Sequence, residues 1–248
     1  MERKNAWLKY DEEGRKTVFE FSERYRRFLS RCKTERECVS QVIEDAKAAG
    51  YEDLNEVVAQ GKTLKPGDKV YCAIMGKSIA LFHLGERPLE EGMNIVGAHI
   101  DSPRLDLKQN PLYEDGNLAM FETHYYGGVK KYQWVALPLA LHGVVAKTDG
   151  TTVSVVLGED PGDPVIGISD LLPHLGRTQM AKNAEKVVEG EDLNILVGSI
   201  PLEDEEKEPV KKRILEILKE KYQISEEDFQ SAELEAVPAG EARDYGLG

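Results

Sequence analysis

Apolar residues at Val18, Phe21, Tyr25, Phe28, Leu29 and Cys32 recur at three- and four-residue spacing, which predicts a helix from Glu13 to Thr34 with one apolar stripe. The stretch "TERE", residues 34 to 37, then fits a capping box with Thr34 as N-cap and Glu37 reaching back, so a second helix through Val42, Ile43 and Ala46 should stop near Gly50. Two short apolar runs, "VYCAIM" and "SIALFH", flank Gly76-Lys77 and predict a hairpin. The "GKS" in that turn is no phosphate loop, because the first glycine of such a motif would fall on Tyr71. "MNIVGAHI", residues 93 to 100, is nearly continuous in apolar character and predicts a strand buried on both faces of a sheet. Helices, hairpin and buried strand together predict an α/β domain.

After Asp101 the pattern changes to β-rich segments, "NLAMFETHYY", "LALHGVVAK", "TTVSVVLGE" and "DLNILVGSI", which predict a separate and largely β domain. The acidic run "LEDEEKE" leads into Pro209 and a helix carrying Val210, Ile214, Leu215, Leu218 and Tyr222, proline being suited to a first helical turn. "SAELEAVPAG" reads as a strand that exits into a turn.

Composition narrows the classes of function. At 248 residues with 41% apolar and 31% charged side chains, the chain has the length and make-up of a globular protein with a real core. Its apolar runs are too short to span a bilayer, and the charged N-terminus carries no secretory h-region, so a cytoplasmic location is expected. Cys32, Cys38 and Cys72 form no C-x-x-C pair and read as reduced packing residues. With 32 basic against 45 acidic residues the net charge is −13, which argues against nucleic acid and anionic membranes as partners.

The chemistry concentrates at the end of the buried-strand segment. On a strand, His99 and Asp101 would project to one face near its C-terminal end, where open α/β sheets bind ligands. A metal-binding imidazole is neutral and usually donates its second ring nitrogen to a carboxylate, a part that Asp101 could play. A polar strand end is the alternative reading of the same triplet. His83 and His142 lie on apolar runs and read as hydrogen-bonded structural histidines, and His124 reads as a surface cross-strand residue. Tyr125, Tyr126 and Trp134 are assigned to packing or a subunit contact, and Glu203 to Glu206 to a solvated loop.

Ordered blocks add a resemblance to these readings. "AHIDSPRLDLK" resembles the "AHTDSPxLxLK" signature of the aspartyl aminopeptidase and aminopeptidase I family of dinuclear zinc metallopeptidases. "YYGGVKKYQW" with "LPLALHGVV", and "SAELEAVPAGEARDYGL", are similar to later blocks of the same family. The resemblance implies that His99 is a zinc ligand and Asp101 the carboxylate that orients it. It also implies a zinc-peptidase-like α/β catalytic domain, its N-terminal part at residues 1–101. An inserted β-rich dimerisation domain would follow at 102–238, and 239–248 would begin the return to the catalytic domain. In this family the insert lends a histidine in trans to a neighbouring subunit, and His174 in "DLLPHLG" lies in the matching region, with Thr178 as the other candidate.

Peptide substrates and self-association as a dimer or a dodecamer are the partners that the resemblance implies. Its cofactor is zinc, two ions per complete site, with Co2+ or Mn2+ as alternative ions. Those ions would polarise a scissile carbonyl and activate water to release an N-terminal amino acid. Two departures qualify this. Ala136 and Leu137 stand where the aspartyl branch carries an aspartate-arginine pair, so the resemblance does not carry that branch's preference for acidic residues over to this chain. The family's further ligands follow the last of these blocks, whereas this sequence stops at Gly248, which leads to the expectation of an incomplete and inactive form. A non-catalytic oligomerisation module that retains the peptidase insert is the alternative function.

Overall fold

Asp11 starts the first helix, α1 (Glu12–Arg31), by accepting the Gly14 N–H on its carboxylate at 2.8 Å, and Glu12 and Glu13 in the first turn suit the helix dipole. The computed structural model describes residues 3–247, so residues 1, 2 and 248, which the expected domain bounds include, lie outside the described residues. It divides into a unit of Met1–Ile100 with Glu241–Gly248 and a unit of Asp101–Gly240. The fold is mixed α/β, as the pattern predicts.

In the first unit, α2 (Glu35–Ala48) opens on the expected capping box. The Thr34 hydroxyl accepts the Glu37 N–H at 3.3 Å, and the Glu37 carboxylate accepts the Thr34 N–H at 3.0 Å. β1 (Glu52–Asp53) and α3 (Leu54–Ala59) are too short to show a period, and the sequence pattern misses both. The hairpin forms as β2 (Lys69–Ile74) against β3 (Ser78–His83). Its loop is Met75, Gly76 and Lys77, one residue longer than the expected Gly76-Lys77 turn, with Met75 and Gly76 at φ 54° and 65°. β1 pairs with β2 in parallel to give the order β1-β2-β3, and α2 packs on β2 and β3 over buried Val39, Ala46, Val57, Val70 and Tyr71.

Two expectations change here. The α1 stripe is helical, yet Phe21 and Tyr25 on it are 63% and 56% exposed. The strand predicted over residues 93 to 100 is absent: residues 92–103 carry no helix or strand, and Ile95 and Val96 are 80% and 99% exposed. A strand is defined by a ladder of bonds to a neighbouring strand, and among the described residues no strand pairs with this segment.

The second unit is an antiparallel sheet of β4 (Arg104–Asp115), β5 (Leu118–Tyr126), β6 (Leu139–Ala146), β7 (Thr152–Leu157), β8 (Ile195–Gly198) and β9 (Ala232–Pro238), ordered β7-β6-β9-β4-β5-β8. Two helices accompany it, the short α4 (Arg177–Met180) and α5 (Pro209–Tyr222). β4 escapes the sequence pattern because a register shift between Leu107 and Leu112, with Pro111 inside it, breaks the alternation. Leu105, Leu139, Leu193 and Ile195 are fully buried, and burial of such side chains stabilises by about 1.5–3 kcal/mol each. α5 closes this core with Val210 and Leu218 against β5 and β8. The residue before α5, Glu208, makes no side-chain cap, and the Glu114 carboxylate on β4 accepts the Val210 and Lys211 N–H groups at 2.9 and 3.0 Å instead. Among the described residues no helix is long and apolar enough to cross a membrane.

Asp228, buried beside the start of β9, accepts the Ser225 N–H at 2.8 Å, the Ser225 hydroxyl at 2.7 Å and the Thr148 N–H at 3.2 Å. The Ser225 backbone N–H, followed by its hydroxyl, holds this carboxyl below the usual range against the opposing effect of burial. A lowered folded pKa means that the stabilisation is present above the unfolded value and is lost as pH falls through the folded one. Asp228→Ala is therefore expected to cost about 1–3 kcal/mol at pH 7, the penalty for stranding buried donors. The gap between variant and parent should shrink as pH falls below about 4, the unfolded aspartate value. Urea unfolding followed at the buried Trp134 checks both, and a gap independent of pH would refute the assignment.

Candidate functional site

His99 sits on the irregular segment 92–103 with an exposed side chain. The inference that it shares a strand face with Asp101 therefore loses its geometric basis, since a period of two holds only on a strand. Asp101, half-buried, is the first residue of the second unit, and its carboxylate accepts the Tyr126 hydroxyl at 3.2 Å.

Tyr126 is itself held from beneath. It lies opposite Arg104 in the β4–β5 register, and the guanidinium stands 4.0 Å from its ring centroid. Arg104 is 6% exposed and pairs through Nε with Asp106 at 2.7 Å and with Glu235 at 3.2 Å. A buried guanidinium needs such partners, because removing one member leaves a charge uncompensated in a low-dielectric interior. The register extends this chemistry across four strands: His142 on β6 opposes Glu235 on β9, Glu235 opposes Asp106 on β4, and Asp106 opposes His124 on β5. Opposed residues share a face, so these side chains form a polar row across the sheet.

The row ends in structural contacts. His142 is buried and hydrogen-bonded, as its place on an apolar run predicts, with Nε2 3.0 Å from a Glu159 oxygen. The other Glu159 oxygen accepts the Gly240 N–H at 3.0 Å. His124 is exposed and stacks on Tyr125 with ring centroids 5.5 Å apart. His83 ends β3 in an exposed position. His174 is exposed in a turn just before α4, flanked by Leu172 and Leu175 at 67% and 72% exposure. Sequence reading missed the row because Glu235 is distant in the chain from both neighbours, and only knowledge that β9 enters between β6 and β4 brings them together.

Zinc takes three or four nitrogen, sulfur or oxygen donors. Among the described residues no group of three or more His, Cys, Asp and Glu side chains could hold a metal ion. His99 offers one exposed nitrogen donor, so the residues present fit a single coordination position and do not make up a site.

Comparison with known proteins bears on this geometry. Residues 28–248 match the family described as aminopeptidase I zinc metalloprotease (M18). A probable M18 family aminopeptidase 1 of Clostridium acetobutylicum is 63% identical over 247 residues, which are 99% of this chain and 53% of that protein. The crystal structure of an M18 aminopeptidase from Thermotoga maritima superposes with a TM-score of 0.91 at 44% identity, over 100% of this chain and 53% of that one. The S. cerevisiae mApe1 dodecamer shares the fold at a TM-score of 0.63 and 18% identity, over 88% of this chain and 48% of its own. The chain spans about half the length of the curated relatives it matches.

Proposed function

We propose, from the premise that this chain belongs to the aminopeptidase I zinc metalloprotease (M18) family, that it carries part of a metalloaminopeptidase that releases N-terminal amino acids from peptides. In this reading His99 is a zinc ligand and Asp101 the carboxylate that orients it, in a site of two zinc ions with Co2+ or Mn2+ as alternatives. Residues 1–101 form the N-terminal part of the catalytic domain, 102–238 an inserted dimerisation domain, and 239–248 the start of the return. His174 acts in trans on the active site of a neighbouring subunit, within a dimer or dodecamer, and the location is cytoplasmic.

The observation that carries the reading is the family match over residues 28–248, which includes both His99 and Asp101. Three features of the structure support it. His99 has an exposed side chain, the Asp101 carboxylate is held by Tyr126, and His174 stands on an exposed apolar turn suited to a subunit contact. The role of this chain's own residues is then to present and orient. Tyr126 holds Asp101 by one oxygen, and Arg104 fixes the ring of Tyr126 from below.

One donor cannot retain zinc against chelation, so a polypeptide of these 248 residues alone is expected to show no aminopeptidase turnover above a metal-free control. A chimera that adds the part of the C. acetobutylicum relative outside the matched region should bind zinc and cleave leucyl substrates. Chelator-sensitive cleavage by the 248-residue polypeptide would contradict the first expectation. A folded chimera without zinc or activity would instead favour the non-catalytic assembly module.

A further inference from the structure

Arg104 is buried on β4 beneath the ring of Tyr126, and the two carboxylates that it pairs with do different things. The single hydrogen on its Nε goes to Asp106, two residues along the same strand, at 2.7 Å. Asp106 moves with Arg104 and its side chain is 35% exposed, so it satisfies the donor without fixing it across the sheet. Glu235 differs on both counts. It lies on the neighbouring strand β9 with its side chain 3% exposed, and its carboxylate stands 3.2 Å from the same Nε, whose hydrogen Asp106 already accepts. Glu235 therefore acts on the guanidinium through its charge, and with so little water near the pair that attraction is screened less than the one to Asp106. Its own place is fixed from the other side. His142 opposes it on β6, which sets their Cβ atoms about 4.5–5.5 Å apart, and Glu159 lies 3.0 Å from His142 Nε2 through one oxygen while accepting the Gly240 N–H at 3.0 Å on the other.

We propose that Glu235 is a positioning residue for Asp101: its charge seats the Arg104 guanidinium beneath Tyr126, and Tyr126 carries that placement to the Asp101 carboxylate. The links are 3.2 Å from Glu235 to Arg104, 4.0 Å from the guanidinium to the Tyr126 ring centroid, and 3.2 Å from the Tyr126 hydroxyl to Asp101. The first residue of the second unit is thus aligned by β9, the last strand of that unit. The seating of Arg104 stands on this geometry alone; only its bearing on zinc rests on the role proposed for Asp101.

Nuclear magnetic resonance of the metal-free 248-residue chain tests the seating. The Arg104 Nε–H signal is expected upfield of the other arginines, because an aromatic ring shields groups over its face, and Glu235→Gln should abolish that displacement while Asp106→Asn keeps it. An Arg104 signal that Glu235→Gln leaves in place would overturn the proposal. In the chimera completed from the C. acetobutylicum relative, Glu235→Gln should weaken zinc binding about 2- to 30-fold, the range of coupling carried by packed networks. Tyr126→Phe should weaken it at least as much, and adding Glu235→Gln to Tyr126→Phe should bring no further loss, because both act through one hydroxyl. Losses that multiply would mean that Glu235 acts on the fold at large and would overturn the proposal. If Glu235→Gln alone does not fold, Arg104→Met with Glu235→Gln removes both charges of the buried pair, a change that such sites tolerate better than the loss of one. That chimera should bind zinc no more tightly than Tyr126→Phe, and binding at the parent's strength would overturn the proposal. A parent chimera that takes up no zinc would count against the aminopeptidase reading instead, and the Arg104 signal would still decide the seating.

Discussion

Gly143→Ala is expected to lower the melting temperature of the second unit by about 10 °C or more, the largest stability effect of any single methyl group in this account. Gly143 lies in β6 at φ 142°, a backbone region that side-chain-bearing residues rarely adopt. A Cβ there would fall 1.9 Å from the Glu233 carbonyl oxygen, 2.9 Å from its carbonyl carbon and 3.0 Å from Leu234 Cα, all backbone atoms of β9. Backbone cannot swing aside as a flexible side chain can, so β9 must separate from β6 or the residue must change conformation. Strain at a forbidden φ costs about 1–3 kcal/mol, and overpacking adds about 1–3 kcal/mol. β9 also bridges β6 to β4, so loss of its register disturbs both neighbours, including the facing of Glu235 to His142 and Asp106. Thermal unfolding followed by the fluorescence of Trp134, which is buried in this unit, measures the effect. A shift under about 2 °C would mean that β6 and β9 do not approach as closely as described.

The elements that sequence reading recovered are those whose signal is local. Thr34 and Glu37 form a capping box three residues apart, and the five later strands of the second unit announce themselves by apolar runs between turn residues. What was missed depends on distant partners. β4 is a strand because β5 and β9 pair with it across a bulge, and its own residues, with Lys108, Asn110 and Pro111, show no clean alternation. The opposite error occurred at residues 93 to 100, where Ile95 and Val96 satisfy an apolar pattern without a neighbouring strand. For the site, His99 and Asp101 were legible because a short motif carries them. Tyr126 and Arg104, which hold Asp101 in place, were not, because their pairing emerges only from the β4–β5 register.

In the chimera completed from the C. acetobutylicum relative, His99→Ala is expected to reduce kcat/KM by far more than 100-fold and to lower bound zinc. Loss of an outer-shell partner alone costs about 10–100-fold in metal affinity or activity, and a direct ligand must exceed it. Asp101→Asn, which keeps the shape but weakens the acceptor, should fall within that 10–100-fold band, while the Trp134 unfolding transition stays within about 0.5 kcal/mol of the parent. The ordering separates the two roles. Equal losses would argue that both residues act through folding, and full activity in His99→Ala would remove the histidine from the site.

Everything proposed for this site requires the His99 imidazole to bind the family's metal. A crystal structure of the chimera grown with zinc, with diffraction data collected on both sides of the zinc absorption edge, tests it most directly. An anomalous peak is expected about 2.1 Å from a ring nitrogen of His99. Zinc bound elsewhere, with that ring beyond coordination distance, would contradict it.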